Sequence, residues 1–440
     1  MNIWLARVAG LLPAMFWLAY VLWNAILTTP PVWGGLTPFT LIYLLMLPAT
    51  LVMVWHLRQR SMAGQWAYVA FLVWLGVGAL WRGSALRPDI VKALFVCALG
   101  LLIAAQAVPG GSRATMMFIA SVTLTALSIS AMTIGQALAS GFRYRTGALV
   151  NQNFLATMVA PGLLIALVFY LWRRDDAARR ALLALALTCT YAIMLLGSRG
   201  VLVALFVATV VMFRQIRPSL RRVRGLSIGL VTVVTIAQLP VIPYTLWQAG
   251  VRTVSVVRGA ASRFEATPAQ TALPDATTAV ARPLDPTAAA SNAIARFVER
   301  DTGTLNMRTD LWTALTVYIV TQPSVLLFGG GLDASGEVAH RADPRFADAH
   351  NVYLQLLADA GLVGTGLLVW TVWSVMRRLS AVRSATAYVW IPLLVFWIVN
   401  GLTTTVTDLH VFWCTLGVAM AATVTATEHV RSAPPPVALL

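Results

Sequence analysis

Long apolar runs recur along almost the whole of this 440-residue chain, and they constrain its fold more than any motif does. A run of about 17–25 apolar residues is long enough to cross a ~30 Å hydrocarbon core as a helix. The helix is demanded because no water is present there to satisfy an open backbone. About twelve such runs are read, near 5–26, 37–56, 65–81, 91–108, 115–138, 154–172, 181–197, 200–213, 225–247, 360–376, 386–405 and 409–427. Composition agrees, with 59% hydrophobic and 11% charged residues and a mean hydropathy of +0.77. That profile belongs to a polytopic membrane protein and excludes an ordinary soluble domain. The expected fold is therefore all-α. The first run is longer than the apolar region of a signal peptide and no small-x-small cleavage pattern follows it, so it is read as a retained span.

Orientation is read from arginine, because Lys and Arg in short loops stay cytoplasmic. With the N-terminus inside, the inner loops carry Arg58 and Arg60, then Arg113, then Arg173, Arg174, Arg179 and Arg180. They continue with Arg214, Arg217, Arg221, Arg222 and Arg224, and with Arg377, Arg378 and Arg383. This pattern also supports counting the short run at 200–213 as a span, since removing it would put a rich arginine cluster outside. The net charge of +16 is thus mostly a topology signal, and a nucleic-acid partner has little support. Cys97, Cys189 and Cys414 all fall inside predicted spans as small apolar residues and form no disulfide or metal pattern.

One segment departs from the pattern, so the chain divides into spans one to nine at 1–247, a large extracytoplasmic loop at 248–359, and spans ten to twelve with a cytoplasmic tail at 360–440. The loop contains the polar, proline-bearing run 267–286, which reads as a flexible excursion. Farther on, Leu311, Leu315 and Ile319 recur at helical spacing and predict an amphipathic helix on the membrane surface or against the bundle. Gly329, Gly330 and Gly331 mark a turn, and Asp348 is the expected N-cap of a helix beginning at Ala349.

On the outer side Arg199 is the most informative cation. It lies in Leu195-Leu-Gly-Ser-Arg-Gly200 between two apolar runs with almost no loop, so its guanidinium snorkels, pairs, or meets an anion at the interface. Arg308, with Trp312 one turn later, belongs either to a solvated helix face or to a phosphate site. Arg143 and Arg145, near Asn151 and Asn153, form a third basic cluster. His350 stands at the mouth of a hydrophobic helix, where a neutral imidazole is the usual general base and the first helical turn favours the neutral form. The bland alternative is a capping or packing histidine. His340, Asp343, Asp348 and His350 bring two imidazoles and two carboxylates together as candidate metal ligands, but their spacing matches no compact signature. No P-loop or dinucleotide fingerprint is visible, and neither a metal nor a cofactor is expected.

Taken in order, Gly197-Ser-Arg-Gly200, Arg308 with Trp312, Pro323…Phe328-Gly-Gly-Gly331 and His350-Asn351…Asp359-Ala-Gly361 resemble the O-antigen ligase and polymerase superfamily of bacterial envelope glycosyltransferases. The Asn151-x-Asn153-Phe154 region is similar too, and the resemblance covers roughly 140–375. Where this chain has Asp359, the family more often has Glu.

The resemblance implies an inner-membrane enzyme whose site faces the periplasm. Such an enzyme moves a glycan from undecaprenyl diphosphate to an acceptor hydroxyl, which for a ligase belongs to lipid A-core in lipopolysaccharide assembly. It further implies an inverting, metal-independent reaction with His350 as base. Arg199, Arg308 and Arg145 would hold the diphosphate, and Asn351, Asp348, Asn153 and Trp312 would support them. The partners implied are the lipid-linked donor, the acceptor and membrane lipids. An O-antigen polymerase and a protein O-oligosaccharyltransferase share this donor chemistry. A lipid-linked glycan transporter is the rival from another class. It would place its polar residues at mid-membrane, and here they collect at the outer interface.

Overall fold

The computed structural model describes residues 11–26, 62, 64–82, 88–139, 152–217, 223, 226–230, 308–343, 350–381, 385–403 and 410–432. The chain divides into two units, one formed by Met1–Val234 with Leu311–Leu440 and the other by Thr235–Asp310. Among the described residues every regular element is helical. The first unit contains α1 (Leu12–Ile26), α2 (Gln65–Trp81), α3 (Pro88–Ala139), α4 (Gln152–Trp172), α5 (Asp176–Leu196) and α6 (Arg199–Ile216). It continues with α7 (residues 311–321), α8 (Pro323–Phe328), α9 (Ala334–Ala342), α10 (Val352–Ser380), α11 (Ala385–Asn400) and α12 (His410–Ser432).

Among the described residues, five helical segments are long and apolar enough to cross a membrane: Gly111–Ala139 within α3, then α4, α5, α6 and α10. Five shorter apolar helices accompany them, at Leu12–Val21, Gln65–Trp81, Ala93–Pro109, Ala387–Asn400 and His410–Val424. The expected span at 37–56 lies outside the described residues, as does that at 225–247 apart from helical residues 226–230. The proline-bearing run 267–286 lies outside them as well. The run at 200–213 is part of a full 18-residue helix, longer at both ends than its apolar stretch. By contrast the run at 386–405 stops early, because α11 ends at Asn400 and a turn at 401–403 follows. Pro109 and a left-handed Gly111 (φ 53°) break α3 next to Arg113, which accounts for two expected spans in one long helix.

Burial identifies the centre of the bundle. α4 is apolar on every side, and 89% of its span is buried, against 28% in each of α5 and α6. A helix hydrophobic all round needs neighbours all round, so α4 is central while α5 and α6 turn wide faces outward. The core is aromatic: Tyr68 of α2 stacks on Trp413 of α12 at 5.9 Å, and Trp17 of α1 meets Phe118 of α3 edge-on at 5.2 Å. Trp17 Nε1 donates to Thr125 Oγ1 at 2.8 Å, which satisfies its only polar atom away from water. Lipid is as apolar as these side chains, so close backbone approach contributes much of the packing. Gly417 of α12 lies against α3, where a Cβ would come within 3.1 Å of the Gly100 carbonyl carbon and 3.0 Å of Ile103 Cβ.

Gly417→Leu is therefore expected to destabilise the chain by at least about 1–3 kcal/mol through overpacking. Gly366→Leu is the control, since nothing lies within 4 Å of a Cβ at that position. Thermal unfolding in detergent compares the two, and equal shifts would contradict the close approach of α3 and α12.

Candidate active site

The site begins at two helix ends that meet. α11 runs out at Asn400, and its terminal carbonyls have no partners within the helix. They are taken up in order: Trp397 O accepts from Gly401 N at 3.0 Å, Val399 O from Leu402 N at 3.2 Å, and Asn400 O from Thr403 N at 3.0 Å. Ile398 O and Gly401 O accept instead from α10, the first from Tyr353 Oη and the second from Val352 N at 2.9 Å. The C-terminus of α11 thus supplies acceptors to the N-terminus of α10, where orphan donors are in excess.

His350 and Asn351 enter at that junction. Asn351 is buried and is the N-cap of α10, its Oδ1 accepting from Tyr353 N at 3.0 Å and Leu354 N at 3.2 Å. This corrects the expectation that Asp348 caps a helix beginning at Ala349. The helix begins at Val352, because Asn351 has the extended backbone (φ −151°) and short acceptor that a cap needs. Asp348 itself lies outside the described residues. His350 therefore precedes the cap and is not on the first turn. It is half-buried and left-handed, with φ 46°, a conformation costly for a residue with a Cβ. Strain of this kind is held in place by the bonds around it and motivates a search for function.

Arg199 starts α6. Gly197 ends α5 with a left-handed cap (φ 66°), Ser198 follows as N-cap, and Arg199 is the first helical residue, with its side chain exposed. A cation is unfavourable at the positive end of a helix, where an anion would be welcomed by both the helix dipole and the guanidinium. Gly200 packs against Thr403, whose Cβ and Cγ2 would each lie 3.1 Å from a Cβ at 200. The turn at 400–403 therefore touches the start of α6 on one side and the start of α10 on the other, which brings the backbones of Arg199 and His350 to one end of the bundle. Asn153 is exposed at the start of α4 at this same end, and one turn later Thr157 accepts from Asn400 Nδ2 at 3.4 Å. Arg173, Arg174, Arg179, Arg180, Arg214, Arg217, Arg377 and Arg378 lie at the other ends of α4, α5, α6 and α10.

A second layer supports the histidine helix. α10 is broken at Gly361 (φ 66°, ψ −171°), so residues 352–360 form a short helix before the long one. The break leaves carbonyls unbonded, and Ala358 O accepts from Gly330 N at 2.7 Å, Asp359 O from Gly331 N at 3.0 Å, and Ala360 O from Trp74 Nε1 at 2.9 Å. A side chain at Gly361 would collide with the Leu327 and Gly329 backbone, so the triple-glycine turn and the Asp359-Ala-Gly361 motif form one contact. The Asp359 carboxylate is buried and caps α9, accepting from Ser335 N at 2.8 Å and Ser335 Oγ at 3.1 Å. Leu315 and Ile319 of α7 pack with Ala358, Leu354 and Leu357 in a small separate core, so the amphipathic helix lies against this short helix.

Of the remaining expected residues, Trp312 is half-buried on α7. Arg308 is half-buried on helical backbone within the second unit, and Arg145 lies outside the described residues. Of the residues weighed for a metal, His340 and Asp343 end α9. Sequence reasoning missed Thr157, Ser335, Trp74 and the turn at 400–403. Asn400-Gly401 followed by Thr403 was the legible signal, a helix stop inside an apolar run.

Residues 183–369 match the family model described as O-antigen ligase, which supports the O-antigen ligase superfamily and a glycosyltransferase-like role in O-antigen and lipopolysaccharide assembly. With the apolar helices, the match also supports a multi-pass bacterial membrane protein. No curated protein matches the chain. The matched range includes Arg199, Arg308, Trp312, His350, Asn351 and Asp359, whereas Asn153 and the turn at 400–403 lie outside it.

Asp359→Ala strands the two Ser335 donors and the N-terminus of α9. It is expected to lower stability by about 1–3 kcal/mol, the usual cost of leaving buried donors without an acceptor. Asp359→Asn, which keeps an acceptor, should lose less. Denaturation of the solubilised protein measures both, and an unchanged Asp359→Ala variant would contradict the capping role.

Proposed function

We propose that this chain, whose residues 183–369 match the O-antigen ligase family, is an O-antigen ligase that transfers a glycan from a polyprenyl diphosphate to a sugar hydroxyl of lipid A-core. The observation that carries the reading is the meeting of the α6 and α10 starts across the turn at 400–403. One helix start offers a cation at its positive end, and the other offers an imidazole.

The chemistry follows from these groups. His350 takes the proton of the acceptor hydroxyl as its oxygen attacks the anomeric carbon. The bond from that carbon to the diphosphate oxygen breaks on the opposite face, and the centre is inverted. Arg199 and the N-terminus of α6 stabilise the charge that gathers on the departing diphosphate. Arg308 and Arg145 are assigned to phosphate oxygens by the sequence resemblance, since Arg's planar fork suits such oxygens better than a lysine would. Asn351 fixes the backbone next to the base, and Asn153 and Trp312 line the approach. The lipid diphosphate is already an activated leaving group, so no nucleotide is needed outside the cytoplasm. The arginines at the far ends of α4, α5, α6 and α10 favour a cytoplasmic location there, which turns this site toward the periplasm across the inner membrane.

Removal of a general base typically costs 10²–10⁴-fold in rate, so His350→Ala should lower transfer by roughly that factor with the protein still folded. Arg199→Ala should lower it by roughly 10²–10³-fold. EDTA should leave the rate unchanged. Purified protein incubated with lipid-diphosphate glycan and lipid A-core, without a membrane potential, reads all three. A wild-type rate in His350→Ala would overturn the base assignment, and loss with EDTA that a divalent ion restores would overturn metal independence. Product on a glycan or protein acceptor, with none on lipid A-core, would reassign the reaction to a polymerase or a protein transferase. Absence of any covalent product would favour transport.

A further inference from the structure

We infer that Asn400 and Thr403 are positioning residues that set the distance between the diphosphate-binding start of α6 and the base-bearing start of α10; this rests on the function proposed above.

The turn they close is held from three directions. Asn400, 1% exposed, donates from Nδ2 to Thr157 Oγ1 of the central helix α4, itself 2% exposed. Its main-chain oxygen accepts from both the N–H and the hydroxyl of Thr403, at 3.0 and 3.1 Å, so the side chain of Thr403 has a fixed direction. That side chain rests on Gly200, beside Arg199, where there is no room for a Cβ. Between them Gly401 O receives Val352 N, two residues after His350. One buried polar pair therefore anchors, to the largely buried helix α4, a four-residue turn that contacts both halves of the reaction centre.

Polar side chains at this depth are costly unless bonded, and an apolar residue at 400 would end the α11 helix just as well for burial alone. A packing role asks only for volume. A positioning role asks for the specific bond to Thr157 and for the hydroxyl at 403. Reacting groups shifted by about 1 Å lose on the order of 10²-fold in rate even when each still binds. The loss should fall on turnover and spare donor binding, because Arg199 itself is untouched.

The test uses the full chain in lipid nanodiscs with polyprenyl-diphosphate glycan and lipid A-core. Asn400→Leu is expected to lower kcat by roughly 10–100-fold with donor KM within about threefold of wild type. Thr157→Val, which removes only the acceptor, should act in the same direction and serves if Asn400→Leu does not fold. The exchange of Asn400→Thr with Thr157→Asn re-forms the bond with its ends reversed and should recover most of the turnover. A kcat within about twofold of wild type in Asn400→Leu and Thr157→Val overturns the inference. So does an exchange variant that recovers its melting temperature and not its turnover, since that is the behaviour of packing alone. Failure of the wild-type protein to transfer glycan removes the proposed function, and this inference with it; wild-type transfer with indifferent variants removes this inference only.

Discussion

The structure depends on how backbone groups at interrupted helices find partners where water is scarce. In hydrocarbon each unbonded N–H or C=O costs several kcal/mol, so a helix that stops within or beside the bilayer must hand its terminal groups to something else. Here α11 and the turn after it each hand one carbonyl, Ile398 O and Gly401 O, to the start of α10, and the break at Gly361 hands three more to Gly330, Gly331 and Trp74. Each interruption is thereby also a joint between elements far apart in sequence. A functional centre can form at such a place because the irregular backbone has been fixed by bonds instead of being left to fluctuate.

The two joints lie at opposite ends of the nine-residue helix 352–360. At its start are the strained His350, the Asn351 cap and the turn at 400–403. At its end are the triple-glycine turn and the Asp359 carboxylate that caps α9. This helix is accordingly clamped at both ends and covered along its length by Leu315 and Ile319. His350, just before it, inherits that rigidity. Gly200, pressed against Thr403, extends the same frame to Arg199, so the backbones of Arg199 and His350 are positioned by one connected set of contacts.

Much of this was legible in the sequence, and the rest was not, for identifiable reasons. Apolar runs located α2 to α6 within a few residues, because the demand for a self-satisfied backbone leaves a helix as the only solution. The spacing of Leu311, Leu315 and Ile319 announced a buried stripe, and the structure buries all three. The cap went wrong because Asp348 and Asn351 are nearly equal as cap residues, and the choice was made by tertiary bonds from Gly401 and Ile398 that leave no local signature. The turn at 400–403 was hidden for a related reason. Hydropathy averaged over about 20 residues passes smoothly through Asn400 and Gly401, and the partners that give them meaning, Thr157 and Val352, are distant in the chain.

The meeting of α11 with the start of α10 can be measured directly. A Cβ at Gly401 would lie 3.3 Å from Val352 Cβ, close to the separation a disulfide requires. The native cysteines, Cys97, Cys189 and Cys414, are all buried and offer little competition. A Val352→Cys, Gly401→Cys chain in native membranes should form an intramolecular disulfide on mild oxidation, and denaturing alkylation should then label two fewer thiols than in the reduced protein. Full labelling after oxidation, with each single variant folded and accessible, would contradict the joint on which the whole site is built.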